Sequence, residues 1–403
     1  MSSAPARFPG LDGTRALGAL FVVTTHVGFH SGAGLNSTFN GVLSRMDSGV
    51  AIFFVISGFL LFRPHAVAWV EGTSRPSTTR YFWRRALRIL PALWVTVLAA
   101  YLLVRSEATP VSSYLHHAAL IQIYSQGRAA HGLTQMWSLA TEVAFYLLLP
   151  VLARGVARGV PSARAFTWRI AVLAMTPLAG AAWMSGITAW NHPLAGTWLP
   201  GFVGWFGLGM ALALWQVGRQ YGVLPRTSVD TLVAQPGTLW ALAAAVFLVL
   251  ASPVAGPYSL ALTTPFAAAV KSIGYAVFAT LVVVPSVAPR GGTPAGLASR
   301  LAARAGSFLG DISYGIFCYH LIVLGLIEQT LGYQVFTGGF FLLYLPTLAL
   351  TIAIAAASYS WLERPIMRWG RRIEGRWTKR RRSEGRREDH DQDTTRITAS
   401  TSA

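Results

Sequence analysis

Eleven residues separate Arg15 from His26 within one apolar run, Leu11-Asp12-Gly13-Thr14-Arg15 through Thr24-Thr25-His26. On a helix that spacing is roughly 16 Å along the axis. With Arg15 at one membrane face, His26 lies at or beyond mid-bilayer. An ionisable group at that depth is costly and marks a functional site by default; the competing reading is a core histidine hydrogen-bonded to a neighbouring helix. Glu142 lies in a second apolar run, Trp137-Ser138-Leu139-Ala140-Thr141-Glu142-Val143-Ala144-Phe145-Tyr146. If the two helices run in opposite directions, Glu142 shares a depth with His26. A carboxylate beside an imidazole orients it and raises its basicity, as in general-base catalysis. A structural buried pair is the alternative. His320 falls near the middle of a later run, where a helix–helix hydrogen bond is the simpler reading, and Glu328 falls near that run's outer end. Cys318 is the one cysteine, so no intramolecular disulfide forms, and a thiol in apolar surroundings is a poor nucleophile.

A different chemistry is written in Arg84-Arg85-Ala86-Leu87-Arg88-Ile89-Leu90-Pro91. Arg85 and Arg88 share a helix face. Paired guanidinium groups suit phosphate, which they hold bidentately; ordinary anchoring at a membrane surface needs the charge but not this spacing. His116 and His117 are adjacent, point to different faces and make a poor metal pair.

The elements that position these groups are membrane helices. Of the 403 residues 53% are hydrophobic and 12% charged, against about a quarter charged in soluble domains. The fold class expected is therefore all-α and polytopic. Apolar runs predict ten spans, at about 14–30, 49–66, 87–105, 137–153, 168–186, 199–217, 238–252, 266–285, 312–330 and 339–362. The first is read as a retained helix, not a cleaved signal peptide. The net charge of +18 is carried by alternate gaps and the tail. Arg75, Arg80, Arg84 and Arg85 follow the second span, Arg154, Arg158 and Arg164 the fourth, Arg219 and Arg226 the sixth, and Arg290, Arg300 and Arg304 the eighth. Arg45, Arg105 and Arg128 are the exceptions. By the positive-inside rule both termini, and residues 64–86, are cytoplasmic and 106–136 is external. Basic charge so placed speaks for membrane orientation and against nucleic acid. Residues 1–368 read as one transmembrane domain. Residues 369–403, with Lys379-Arg380-Arg381-Arg382, read as a basic, disordered cytoplasmic tail suited to anionic lipid.

Taken together these pieces resemble the acyltransferase-3 family of integral membrane O-acyltransferases. The matching motifs are Leu11-Asp12-Gly13 with the Arg15-to-His26 spacing, Phe53-Phe54-Val55-Ile56-Ser57-Gly58-Phe59, and Arg85-to-Arg88 with Ile89 and Pro91. They continue with Trp137-Ser138-Leu139, Glu142 and Phe145-Tyr146, then Ser313-Tyr314 with His320, and Glu363-Arg364-Pro365. Two positions depart from the pattern: Val143 stands where a second acidic residue is frequent, and Phe317-Cys318-Tyr319-His320 where an aromatic-Leu-Trp-His run is usual. The resemblance implies transfer of an acetyl or other short acyl group from acyl-CoA, acetyl-CoA foremost, to a hydroxyl of a sugar, glycan, lipid or macrolide-like metabolite. No metal and no nucleic acid take part in that reaction.

The resemblance makes Arg15 and His26 important for activity and puts Arg85 and Arg88 on the donor; the site read here has His26 as base, oriented by Glu142 or another polar group, with Arg15 in a positioning role. Ser57, Trp137, Ser138 and His320 would contact substrate. The location implied is a bacterial inner membrane, which the scarcity of lysine (Lys271 and Lys379 alone, a mark of GC-rich coding) also suggests. A transporter or flippase is the rival reading, since polar groups at mid-bilayer also mark substrate pathways; repeated halves, which would favour it, are not evident.

Overall fold

The computed structural model describes residues 8–258, 263–288 and 304–376. Among these residues every regular element is a helix. The principal helices are α1 (Pro9–Ser31), α2 (Gly49–Val70), α3 (Thr78–Leu103), the short α4 (Val111–Ala118), α5 (Met136–Val156), α6 (Ala163–Ala174) and α7 (Thr176–Ala189). They continue with α8 (Val203–Gln220), α9 (Pro236–Leu250), α10 (Pro265–Val287), α11 (Arg304–Leu331) and α12 (Phe340–Ser358). Each of the ten expected spans falls on a helix, α6 and α7 together forming the fifth, but α1 and α9, the first and seventh, are not among the helices long and apolar enough to cross a membrane. Among the described residues eight helical segments are long and apolar enough to cross a membrane. The protein is an all-α polytopic membrane protein.

The ends of these helices follow local chemistry. Pro9 opens α1 at a position where its missing N–H costs nothing, and Gly32, at φ +79°, closes it with its N–H on the Phe29 carbonyl. The hydroxyls of Ser77, Ser162 and Thr264 cap the starts of α3, α6 and α10. Two helices are longer than their apolar cores. α3 begins at Thr78 and not at 87, because its first three turns carry arginines at the interface. The last helix passes through a π-helical turn, Tyr359–Glu363, and continues to Arg376. The tail boundary expected at 369 thus falls inside a helix. Trp369 packs against Trp83, and Arg84 holds the Glu374 carboxylate through Nη2 at 2.6 Å. Residues from 377 onward, and the basic positions Arg290 and Arg300, lie outside the described residues.

Helix packing is close where side chains vanish. A Cβ on Gly58 of α2 would lie 2.2 Å from the Phe206 carbonyl oxygen, and one on Gly209 of α8 2.1 Å from that of Val55. Small residues at both faces let these backbones touch, which is how helices associate where lipid removes the hydrophobic drive between them. α1 and α2 run antiparallel: Phe8 meets Phe59, and Gly18 meets Gly49. α1 and α11 run parallel, Asp12 beside Gly310 and His26 beside His320. Phe8 and Glu374, near the two described termini, lie at the same end of the bundle, that of Arg63 and Arg84.

The loops at the two ends give a direct test of orientation. Ser74 and Ser106 are exposed and lie in loops at opposite ends, whereas Ser113 is buried. The native thiol of Cys318 is also buried. A membrane-impermeant maleimide added to intact cells should label Ser106→Cys and spare Ser74→Cys. The reverse pattern would invert the orientation drawn from arginine distribution.

Candidate functional site

α1 presents Arg15 on the same end of the bundle as the first turns of α3. Arg15, Arg85 and Arg88 meet there at one cavity of about 90 Å³, together with Ser57 of α2, and Ser138 and Glu142 of α5. All three guanidinium groups are half-buried. Arg15 is paired with Asp12 on its own helix at 3.6 Å. Among the described residues no carboxylate forms an ion pair with Arg85 or Arg88, so their donors face the cavity's charge balance and not a fixed partner. The Glu142 carboxylate is near enough to both for a direct electrostatic effect. It accepts hydrogen bonds at Oε1 from Ser57 and, at 2.7 Å, from Tyr146 one turn further along α5. Tyr314 of α11 ties this cavity's wall to α3 by donating to the Ile89 carbonyl at 2.8 Å.

The imidazole site lies elsewhere. His26 does not take Glu142 as its partner, contrary to the sequence expectation. Glu142 is committed to Ser57 and Tyr146 beside the arginines, while His26 meets His320 across the α1–α11 contact, Nδ1 to Nε2 at 3.1 Å. The reason is register. The parallel pairing of α1 with α11 brings the two imidazoles to one depth, and α5 reaches the bundle centre nearer Arg15.

The tautomers follow from the acceptors around them. His320 Nδ1 faces the carbonyls of Phe317 at 2.8 Å and Ile316 at 3.1 Å, so Nδ1 carries the proton and Nε2 accepts. His26 Nδ1 faces two acceptors, that Nε2 and the Val22 carbonyl at 2.8 Å, and so it too is protonated. The lone pair of His26 is therefore on Nε2, the nitrogen that these contacts leave free. One turn on, His30 Nδ1 lies 2.7 Å from Glu328 Oε1, which places the Glu328 carboxylate in a second α1–α11 contact.

A second cavity, of about 320 Å³, opens at the other end of the bundle. Trp137 lines it, whereas its chain neighbour Ser138 lines the arginine cavity, and Val50 borders both. The second cavity contains a pair that sequence reading missed. Lys271 Nζ donates to Asp47 Oδ2 at 2.6 Å, and Tyr275 donates to Asp47 Oδ1. These residues are 224 positions apart, and each stands near a helix start, where a charge reads as an interface anchor. Lys271, a lone lysine inside an apolar run, was the available signal. Arg45, an exception to the charge alternation, is buried here, donating to the carbonyls of Leu250 at 3.0 Å and Gly256 at 2.5 Å. At the same end His116 and His117 each satisfy Nδ1 on their own helix, at Ser112 and Ser113, and burial lowers the His117 pKa. Among the described residues no group of three or more His, Cys, Asp or Glu could hold a metal ion.

The His26–His320 bond has a measurable energy. Interhelical hydrogen bonds in membranes contribute roughly 0.6 kcal/mol on average, up to about 1.7. Single and double alanine variants of His26 and His320 should show coupling of that size in a double-mutant cycle of detergent unfolding. Strict additivity would mean that the two rings do not bond.

Comparison with known proteins agrees with this architecture. The family model of the acyltransferase domain, acyltransferase-3, matches residues 8–360. Nodulation protein 10 of Rhizobium leguminosarum bv. viciae is 28% identical over 364 residues, covering 84% of this chain and 87% of that protein. Acyltransferase MdmB of Streptomyces mycarofaciens is 29% identical over 178 residues, 39% of this chain and 42% of its own. Peptidoglycan O-acetyltransferase OatA of Listeria monocytogenes is 28% identical over 158 residues, 35% of this chain but only 23% of its own length. No solved structure matches. A family match over residues 8–360, on a bundle of membrane helices, establishes that the chain belongs to the acyltransferase-3 family and is a membrane O-acyltransferase.

Proposed function

We propose that the protein moves a short acyl group, acetyl foremost, from acyl-CoA at the cytoplasmic face of a bacterial inner membrane to a hydroxyl of a sugar or glycan, lipid or macrolide-like metabolite. The observation that carries this reading is the convergence of Arg15, Arg85 and Arg88 on one cavity at the arginine-rich end of the bundle. Three guanidinium groups without a bound carboxylate on two of them match the phosphates of a nucleotide-bearing thioester, which guanidinium binds bidentately. That end is cytoplasmic by the positive-inside rule, and acyl-CoA is a cytoplasmic metabolite. Two relatives, named O-acetyltransferase OatA and acyltransferase MdmB, support the acetyl group and the hydroxyl acceptor in outline.

The donor supplies an acyl group already activated as a thioester, so the protein has to bind, orient and move one proton. Arg85 and Arg88 hold phosphate, with Arg15 placing α1 against them. His26 Nε2 takes the proton of the acceptor hydroxyl as its oxygen attacks, and returns that proton to the departing sulfur. His320 holds His26 in the tautomer this requires. Glu142, Ser57 and Tyr146 form a polar cluster beside the donor, where Glu142 moderates the charge of the arginines. Ser138 and Trp137 lie on the α5 segment between the two cavities and border the substrates' path.

Two measurements test the assignment. Arg85→Ala or Arg88→Ala should raise the donor KM roughly ten- to a hundredfold, the loss of a charge-assisted hydrogen bond, with the acceptor KM little changed. Unchanged donor binding in a folded double variant would reduce the pair to surface anchors. His26→Ala should lose roughly 10²–10⁴ in kcat, the usual contribution of a general base, with donor affinity retained. His26→Gln is the sharper case, since an amide keeps hydrogen bonding but takes no proton at neutral pH. A fully active Gln variant would return His26 to a structural role.

A further inference from the structure

We propose that the second cavity is the acceptor site, that it takes an uncharged polyhydroxylated ring, and that the Asp47–Lys271 pair sets this charge preference. The proposal rests on the acyl-transfer reading, and adds to it a place, a chemical class and the residues that discriminate. Its volume, about 320 Å³, falls at the lower end of the roughly 300–1,000 Å³ typical of small-molecule sites. It lies at the opposite end of the bundle from the arginines and shares one wall residue with their cavity, Val50. A ligand there approaches the donor cavity without entering through it.

The lining fits such a ring. Trp137 and Trp205 supply flat apolar faces, and the indole N–H of Trp205 is spent on the Ser272 carbonyl at 3.0 Å, which fixes its plane. Against these faces stand a carboxylate and an ammonium group, both about one-third exposed. The carboxylate accepts from hydroxyl groups and the ammonium group donates to them. Because Lys271 and Asp47 neutralise each other at 2.6 Å, an entering anion or cation would have to break the pair. An uncharged polyol replaces water on both partners without that cost. Tyr275, buried beneath the pair, holds Asp47 in place. The Arg45 guanidinium, also in this lining, spends two donors on the carbonyls of Leu250 and Gly256.

The cavity wall at Asp47 runs on toward α1. Gly49, two residues further on, packs against Phe21 and Val22, and the Val22 carbonyl holds the His26 ring. His26 does not line the acceptor cavity, and Gly49 and Val22 are the residues that lie between them.

The test uses the full chain in nanodiscs and three probes of one size: methyl glucoside, glucosamine and glucuronate, read by quenching of tryptophan fluorescence. The wild type should bind methyl glucoside best, with the signal reduced in Trp137→Phe. Asp47→Asn keeps a hydrogen-bond acceptor for Tyr275 but leaves the Lys271 charge unmatched. It should shift the preference from methyl glucoside toward glucuronate by roughly tenfold or more. Lys271→Gln should shift it toward glucosamine. Acetyl-CoA binding should be unchanged in Asp47→Asn and Lys271→Gln, which also reports that they fold. No quenching by any ring, or a preference indifferent to Asp47 and Lys271 in protein that still binds acetyl-CoA, would overturn the acceptor site alone. Charge-dependent ring binding in a wild-type protein that binds no acetyl-CoA would uphold the site and overturn the proposed donor.

Discussion

α1 takes polar side chains into the interior of the bundle, and one neighbour answers most of their demand for partners. Asp12 accepts from Ser307 at 3.4 Å, His26 meets His320, and His30 meets Glu328. The partners are 295, 294 and 298 positions apart. So nearly constant an offset is what a parallel pair of helices produces when its register is locked at several depths. Thr24 finds its partner on α12 instead, in the Tyr344 hydroxyl at 3.1 Å. Sliding α1 against α11 by a single turn would break all three α11 contacts together, at a cost for each polar group that found no new partner. Close approach reinforces the lock: a Cβ on Gly310 would stand 2.4 Å from the Asp12 carbonyl oxygen.

That register determines what meets in the arginine cavity. α11 is fixed to α3 by the Tyr314–Ile89 hydrogen bond, so placing α1 on α11 also places Arg15 beside Arg85 and Arg88. Three like charges in a half-buried cavity repel one another. They are tolerated because Asp12 and Glu142 lie close and because one partner, α3, begins at the interface where water still reaches. A cluster of this kind is a poor investment in stability, and its physical sense lies in the anion it can receive.

The helices were legible in the sequence because a spanning segment is a compositional object: about twenty apolar residues identify themselves without knowledge of their neighbours. The Arg85–Arg88 face was legible for the same reason, both residues lying on one turn. Pairings between helices were not. Glu142 and His26 each stood out as expensive buried groups, but which helix faces meet depends on close-packed positions such as Gly18 with Gly49 and Gly310 with Asp12. Nothing in the residue spacing says that α1 turns its imidazole toward α11 and not α5. The helix–helix hydrogen bond considered for His320 is what the structure contains; that its partner is the other histidine was hidden by 294 intervening residues. The Asp47–Lys271 pair was hidden in the same way.

The separation of the two cavities follows from these pairings. A channel connecting the two ends would leak protons, and would let water reach an activated thioester. What stands between them is apolar: Val50 borders both, and the Phe54 ring stacks on Phe206 at 4.4 Å, which in turn stacks on Phe145 at 4.1 Å. His26 lines neither cavity; its Nδ1–H is consumed by the Val22 carbonyl and His320, and its remaining nitrogen is free to accept. An imidazole held by a charged carboxylate would have brought a second buried charge to the same depth. Pairing it with a neutral imidazole fixes the same tautomer without that desolvation cost, which gives a physical reason for Glu142 to stay with the arginines.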